Sequence, residues 1–369
     1  MLFPIALVLS ALSPAPVTQD SLQQADFAQA RFKSLVDGQE RIVMHVKLTE
    51  LQPAKTSPMF PWKFVWTVSG LGRVGAATQF NQRVRVFAQK RDEIEDTTYS
   101  VGRMAMRMWD YNVQYLTLDH HERYMRTVDI YLAQGGTAGG EQRLVPDPEV
   151  KDPYGRTVTA NVVHIYRMDT FTNARERARE VAHEYGHATL PAIGGYSAPE
   201  SWANGDVGER LYLTWLYRDM QAGTAGWFDT VGATKEDIAA YLKEKVDPLL
   251  VQIGSNGVRA DVLAGTDRGA FMEDVALVVY AEAVLPREAF ARFMLLTGDG
   301  HGKQALPEFE FVVGELDEWD VRIPAALAGK DIWLPIGTGS VATGQVVSRR
   351  GKWAKVKPAG GRIVVRGRQ

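Results

Sequence analysis

Two histidines four residues apart bracket a glutamate in the segment His183-Glu184-Tyr185-Gly186-His187. On an α-helix, side chains at i and i+4 stand on one face, one turn apart. Both imidazoles can then reach a single metal ion. Glu184 lies about 100° around such a helix from His183, so it misses the ion but can reach a water held there. Two ligands with a general base between them is the helical pattern of zinc-assisted hydrolysis. Zinc is the expected cofactor, although two imidazoles and a carboxylate also suit other divalent ions. Gly186 inside the pattern costs a helix about 1 kcal/mol relative to Ala, and close approach of another backbone would explain it.

A catalytic zinc takes three protein ligands and keeps one position open. A Gly and a His three and six residues after His187 would supply one continuation of the motif, but Leu190 and Ile193 stand there. The other source is a carboxylate further on. Glu209 lies 22 residues after His187, Asp206 lies 19 after it and Glu200 lies 13 after it. Glu209 is the expected third ligand. Asp206 is its rival, or a carboxylate that orients a ligand histidine, and the pair also fits an ordinary capping box. Tyr196 and His301 are candidate donors to a tetrahedral oxyanion, though a structural part suits each of them better. His164 reads as a core or edge histidine on a strand, and His120-His121 as solvated residues of a polar turn.

The elements that must position these groups are legible around them. Asn173 can cap a helix while Glu176 reaches back in a capping box. Pro191 and Gly194-Gly195 end that helix, and Ala178, Val181, Ala182, Tyr185 and Ala188 form its apolar stripe. A strand is expected over 41–50, then an irregular aromatic stretch with Pro53, Pro58 and Pro61. Strands follow at 83–90, 127–133 and 161–168, with an amphipathic helix over 97–118 and a glycine-rich loop at 135–140. After Asp206 a buried helix spans 207–220, with further helical patterns at 234–253 and 266–296. Short strands with glycine-rich turns occupy 331–369. The fold class is α+β: a mixed sheet carrying the active-site helix, a mainly helical lobe, and a small C-terminal β segment.

Composition narrows the possibilities. The 369 residues are 45% hydrophobic and 23% charged, ordinary for a chain that buries a core. Cysteine is absent, which excludes disulfides, thiolate metal sites and thiol nucleophiles. From Asp331 onward there are eight Lys or Arg against one acid. This basic segment fits contact with an anionic surface or simply a solvated β module. Without a recognition helix or paired aromatic platform, no nucleic-acid partner is expected. The run at 2–12 (LFPIALVLSAL) has the length of a signal-peptide core and is too short to span a bilayer. Export to the periplasm, cell surface or medium is therefore expected, with an N-terminal lipid-facing anchor as the alternative.

Residues 83–220 resemble the gluzincin branch of the zincin metallopeptidases, which includes thermolysin-like and aminopeptidase N-like enzymes. The residues that carry the resemblance are the strand–helix–strand–strand lead-in, His183-Glu184-Tyr185-Gly186-His187, and the stretch from Pro199 to Glu209. In aminopeptidase-like relatives a Trp-x-Asn-Glu-Gly stretch supplies the third ligand. Here Trp202-Ala203-Asn204-Gly205-Asp206 departs from it, with glycine in place of that glutamate. The resemblance implies a zincin-like catalytic core and a zinc-dependent metallopeptidase acting on peptide or protein substrates, with Glu184 as general base. Alternatives are a zinc hydrolase of non-peptide amides and a catalytically silent cell-surface binding protein of the same fold. Four units are expected: signal and linker at 1–25, an α/β lobe at 26–190, a helical lobe at 191–328 and a basic β domain at 329–369.

Overall fold

The computed structural model describes residues 27–33, 40–74, 81–89, 95–118, 127–152, 154–297 and 305–367. The apolar run at 2–12, His120-His121 and His301 lie outside them. The architecture is mixed α and β: one seven-stranded sheet, a set of helices, and two small C-terminal sheets.

The large sheet contains β1 (Phe27–Lys33), β2 (Glu40–Thr56), β3 (Lys63–Val74), β4 (Asn81–Ala88), β5 (Val128–Ala133), β6 (Gly139–Lys151) and β7 (Thr157–Tyr166). Their spatial order is β1-β2-β3-β4-β5-β7-β6. The pairs β4–β5 and β5–β7 are parallel, and the remaining neighbours run antiparallel. Three strands, β1, β3 and β6, go beyond the sequence expectation, and β2 is longer than expected. The 53–66 stretch is not irregular throughout, because β2 runs on past Pro53 and β3 begins at Lys63. The glycine-rich loop leads into β6, which starts at Gly139 despite Pro146 and Pro148. Proline lacks an N–H and is confined to sheet edges or bulges. β6 is such an edge, and its pairing with β7 shifts register between Asp147 and Lys151.

One sheet face carries α1 (Glu95–Leu116) and α2 (Ala174–Thr189) over an apolar core that includes Val84, Val86, Met104, Trp109, Ile130 and Val181. The opposite face has its own smaller cluster, with Phe64, Phe87, Tyr131 and Val162 buried beneath Met59 and Trp62. His164 is buried on this second face, stacked on Tyr131 at 4.9 Å between ring centroids.

The helical region comprises α3 (Asn204–Gln221), α4 (Lys235–Lys245), α5 (Asp247–Asn256), α6 (Ala260–Leu263), α7 (Arg268–Val284), α8 (Arg287–Thr297) and α9 (Ala305–Gly314). The continuous patterns expected at 234–253 and 266–296 are each broken once, at Val246 and at Leu285-Pro286. α7 is apolar on nearly every face and lies inside. Its buried acids are all partnered: Glu273 by Arg259, Asp274 by Tyr196, and Glu282 by Arg218 and Trp215.

The C-terminal strands form two three-stranded sheets. One is ordered β10 (Ser340–Thr343), β13 (Val364–Arg366), β8 (Glu318–Asp320), and the other β11 (Gln345–Arg350), β12 (Trp353–Lys357), β9 (Ile332–Leu334). Because β8 pairs with β13, this β region takes in residues ahead of 329. It is packed on the helices: Tyr280 donates to the Trp333 carbonyl and Trp353 to Glu310. Several of its cations are already paired, Arg362 with Asp320, Arg366 with Glu318 and Lys352 with Glu310. No helix among the described residues is long and apolar enough to cross a membrane.

Candidate metal centre

Helix α2 starts where the sequence signals it. The Asn173 side chain accepts from the Glu176 N–H at 2.9 Å, while the Glu176 carboxylate pairs with Arg179. The last two turns carry His183, Glu184 and His187. α3 crosses these turns closely. A β-carbon on Gly186 would lie 2.6 Å from the Asn204 carbonyl oxygen and 2.9 Å from the Gly208 Cα, and one on Gly208 would lie 2.6 Å from the Gly186 Cα. The two glycines therefore let the helix backbones touch, which puts the first turn of α3 beside the imidazoles. This is the close approach that Gly186 implied.

The segment between the helices folds back on itself. Gly194 bridges to Trp202, and the Ala203 N–H donates to the Ile193 carbonyl at 2.7 Å. That turn carries Glu200 over the histidines. Nε2 of His183 and Nε2 of His187 are 3.2 Å apart, and the Glu200 carboxylate oxygens lie 3.3 Å from the first and 3.1 Å from the second. Ligands about 2 Å from a tetrahedral ion are themselves about 3.3 Å apart by simple geometry. The Nε2–Nε2 separation matches that edge length, and each imidazole faces a different oxygen of the Glu200 carboxylate. Among the described residues, His183, His187 and Glu200 are the group whose ligand atoms all fall within 4.8 Å of one another.

The opposite ring nitrogens are held by acceptors. His187 Nδ1 donates to the Asn204 side-chain oxygen at 2.8 Å, and His183 Nδ1 donates to Glu209 at 3.2 Å. Asn204 directs its own N–H groups to backbone carbonyls of α2, which fixes its orientation. With Nδ1 of each ring turned to an acceptor, Nε2 is the nitrogen that faces the cluster, the orientation a metal ligand needs. A β-carbon on Gly205 would sit 2.3 Å from His187 Nε2 and 2.7 Å from His183 Nε2. Glycine at 205 thus keeps open the space between the imidazoles.

Glu209, expected as the third ligand, takes a different place. It stands on the Nδ1 side of His183, away from the convergent Nε2 atoms, and binds Arg179, Arg210 and Tyr241 at 2.9, 2.8 and 2.7 Å. The reason is helical phase: α3 begins at Asn204, so Glu209 falls in its second turn and points past the cluster. Asp206 is also outside the cluster and pairs with Arg210 at 2.7 Å. No capping box links the two acids, because the N-cap of α3 is Ala203. Tyr196 donates a short hydrogen bond to buried Asp274. His164 shares a 2.8 Å hydrogen bond with Ser57 through Nε2, and its Nδ1 is buried without a partner among the described residues.

Charges at the site follow from burial and neighbours. Burial would raise the Glu209 pKa, but the hydrogen bond from His183 and the nearby arginines outweigh it and bring it down to about 2. Burial would lower that of His183, yet Glu200 and Glu209 raise it well above the usual value. The same field favours a cation between the imidazoles. Glu184 is pushed up to about 7 by burial, partly offset by the two histidines. Its Oε2 is buried with no hydrogen-bond partner among the described residues. Its side chain fits against β6 because residue 140 is glycine: a β-carbon there would lie 2.3 Å from Glu184 Cγ.

The sequence reading set Glu209 ahead of Glu200, the carboxylate that the structure brings to the two Nε2 atoms. The available signal was its short separation from His187 together with the Gly194-Gly195 and Pro199 punctuation, which marks a chain reversal. No protein-family model, curated protein or solved structure matches this chain.

Proposed function

We propose that the protein is a zinc-dependent metallopeptidase of the zincin type, with His183, His187 and Glu200 as ligands and Glu184 as general base. The observation that carries this reading is the convergence of the two histidine Nε2 atoms and the Glu200 carboxylate within 4.8 Å of one another, beside a buried carboxylate oxygen that has no partner among the described residues. The donor set suits zinc. When bound, zinc supplies Lewis acidity toward a carbonyl oxygen and acidifies water.

The chain's own residues account for the rest. Glu184, buried next to the imidazoles with one oxygen free among the described residues, can take a proton from water and return it to a leaving amine. Asn204 and Glu209 hold the imidazoles in the tautomer and orientation that the reaction requires. A peptide substrate is favoured over a small amide by β6. It is the sheet edge that runs past Glu184, and its outer ladder groups can pair with an extended chain.

The test is metal analysis of the purified chain together with cleavage of a peptide library. Glu184→Gln should retain the metal and lose turnover by orders of magnitude. Unchanged turnover in that variant, or wild-type protein that binds no zinc, would overturn the proposal.

A further inference from the structure

Away from the metal centre, an open cavity of about 610 Å³ lies between α3, the α4–α5 junction, α7, α8 and the segment after β8. Its size falls in the range of small-molecule sites, roughly 300–1,000 Å³. The walls are mostly apolar, with Leu211, Leu250, Val279 and Phe290 among them. The charged lining consists of Arg218, Arg287, Arg322 and one acid, Glu282. That acid is fully engaged. Arg218 holds it through both terminal nitrogens, at 2.6 and 3.0 Å, and Trp215 donates to it at 3.0 Å. The lining therefore carries two cations in excess.

Those cations have donors to spare. Arg322 uses one terminal nitrogen on the carbonyls of Glu282 and Leu285 at the end of α7. Its Nε and Nη1 have no partner among the described residues. Arg287 binds the exposed Glu288 through Nε and Nη2, which leaves Nη1. An apolar hollow rimmed by guanidinium donors, with its only acid already neutralised, complements an anion with an apolar body. The spare N–H groups can each give a charge-assisted hydrogen bond to an oxygen of a carboxylate.

We propose that this cavity binds a monocarboxylate with an unbranched apolar tail, of the medium-chain fatty-acid class. The tail lies along Leu250, Val279 and Phe290, and the carboxylate lies between Arg287 and Arg322. The proposal is independent of the metal centre, since the cavity shares no residue with it.

Calorimetric titration of the full chain with decanoate, decanol and decylamine at neutral pH tests it. Decanoate should show a single saturable site and bind about tenfold tighter than decanol, as expected for a charge-assisted hydrogen bond. Decylamine should not bind. Arg287→Ala and Arg322→Ala should each weaken decanoate about tenfold and leave decanol unchanged. Leu250→Trp, which fills the hollow, should abolish both. Arg322 also anchors the end of α7, so if that variant fails to fold the Arg287 and Leu250 variants decide the matter. Decanoate binding no tighter than decylamine, or binding that survives Leu250→Trp, would overturn the proposal.

Discussion

Three carboxylates surround the two imidazoles, and each meets a different physical demand. Glu200 faces the Nε2 atoms, Glu209 faces Nδ1 of His183, and Glu184 is buried beside β6 with one oxygen unpartnered. Their substitution should therefore separate. Glu200→Gln removes a ligand charge and should all but abolish stoichiometric zinc. Glu209→Gln should lower metal affinity by about 10- to 100-fold, the usual cost of losing a group that orients a ligand histidine. Equilibrium dialysis of the two variants measures both, and equal losses would contradict the assignment. A further residue-scale prediction concerns His164, whose pKa burial lowers from 6.5 to about 4. The unfolded chain then binds the proton first, so stability is full above about pH 6.5, falls as pH drops toward 4, and levels off below. The loss is about 3 kcal/mol. Denaturant melts across that range should show it, and His164→Gln should flatten the slope.

At the scale of elements, the α2–α3 crossing decides where the site residues fall. Gly186 and Gly208 touch backbone to backbone, and Gly205 opens toward the imidazoles. Gly208→Ala should force the helices apart and lower the melting temperature. Gly205→Ala should leave the fold standing and displace the imidazoles, so that zinc affinity falls while far-ultraviolet circular dichroism is unchanged. The same crossing shows what could be read beforehand. His183, Glu184 and His187 were legible because their relation is set by helical period alone, and the cap at Asn173 fixed where that helix starts. Glu200 was not, because it owes its position to a chain reversal whose direction depends on what it packs against. Glu209 was misplaced by a three-residue error in the start of α3, enough to turn a side chain away from the cluster. β6 was hidden by its prolines, which an edge strand tolerates.

For the molecule as a whole, the three candidate ligands lie on both sides of Pro191, which divides the sheet-bearing region from the helical one. Two come from α2 under the sheet, and the third comes from the turn that leads into α3. A bound ion therefore ties the two regions together. Zinc at 100 times its dissociation constant should add about 2.7 kcal/mol to unfolding. Chelation should lower the melting temperature accordingly, and a melt insensitive to chelator would show that no such tie exists. Decanoate should stabilise the chelated protein to the same degree as the loaded one, since the arginine-rimmed cavity is built from other residues.

The three candidate ligands differ in their exposure. The side chain of Glu200 is 41% exposed, against 8% for His183 and 16% for His187. An ion arriving from water meets the carboxylate first and the imidazoles last, and on leaving it passes the same carboxylate again. Glu200 would then govern traffic as well as tightness. Shortening it to Asp should speed zinc exchange in stopped-flow competition with a chromogenic chelator, even at concentrations where the site still fills.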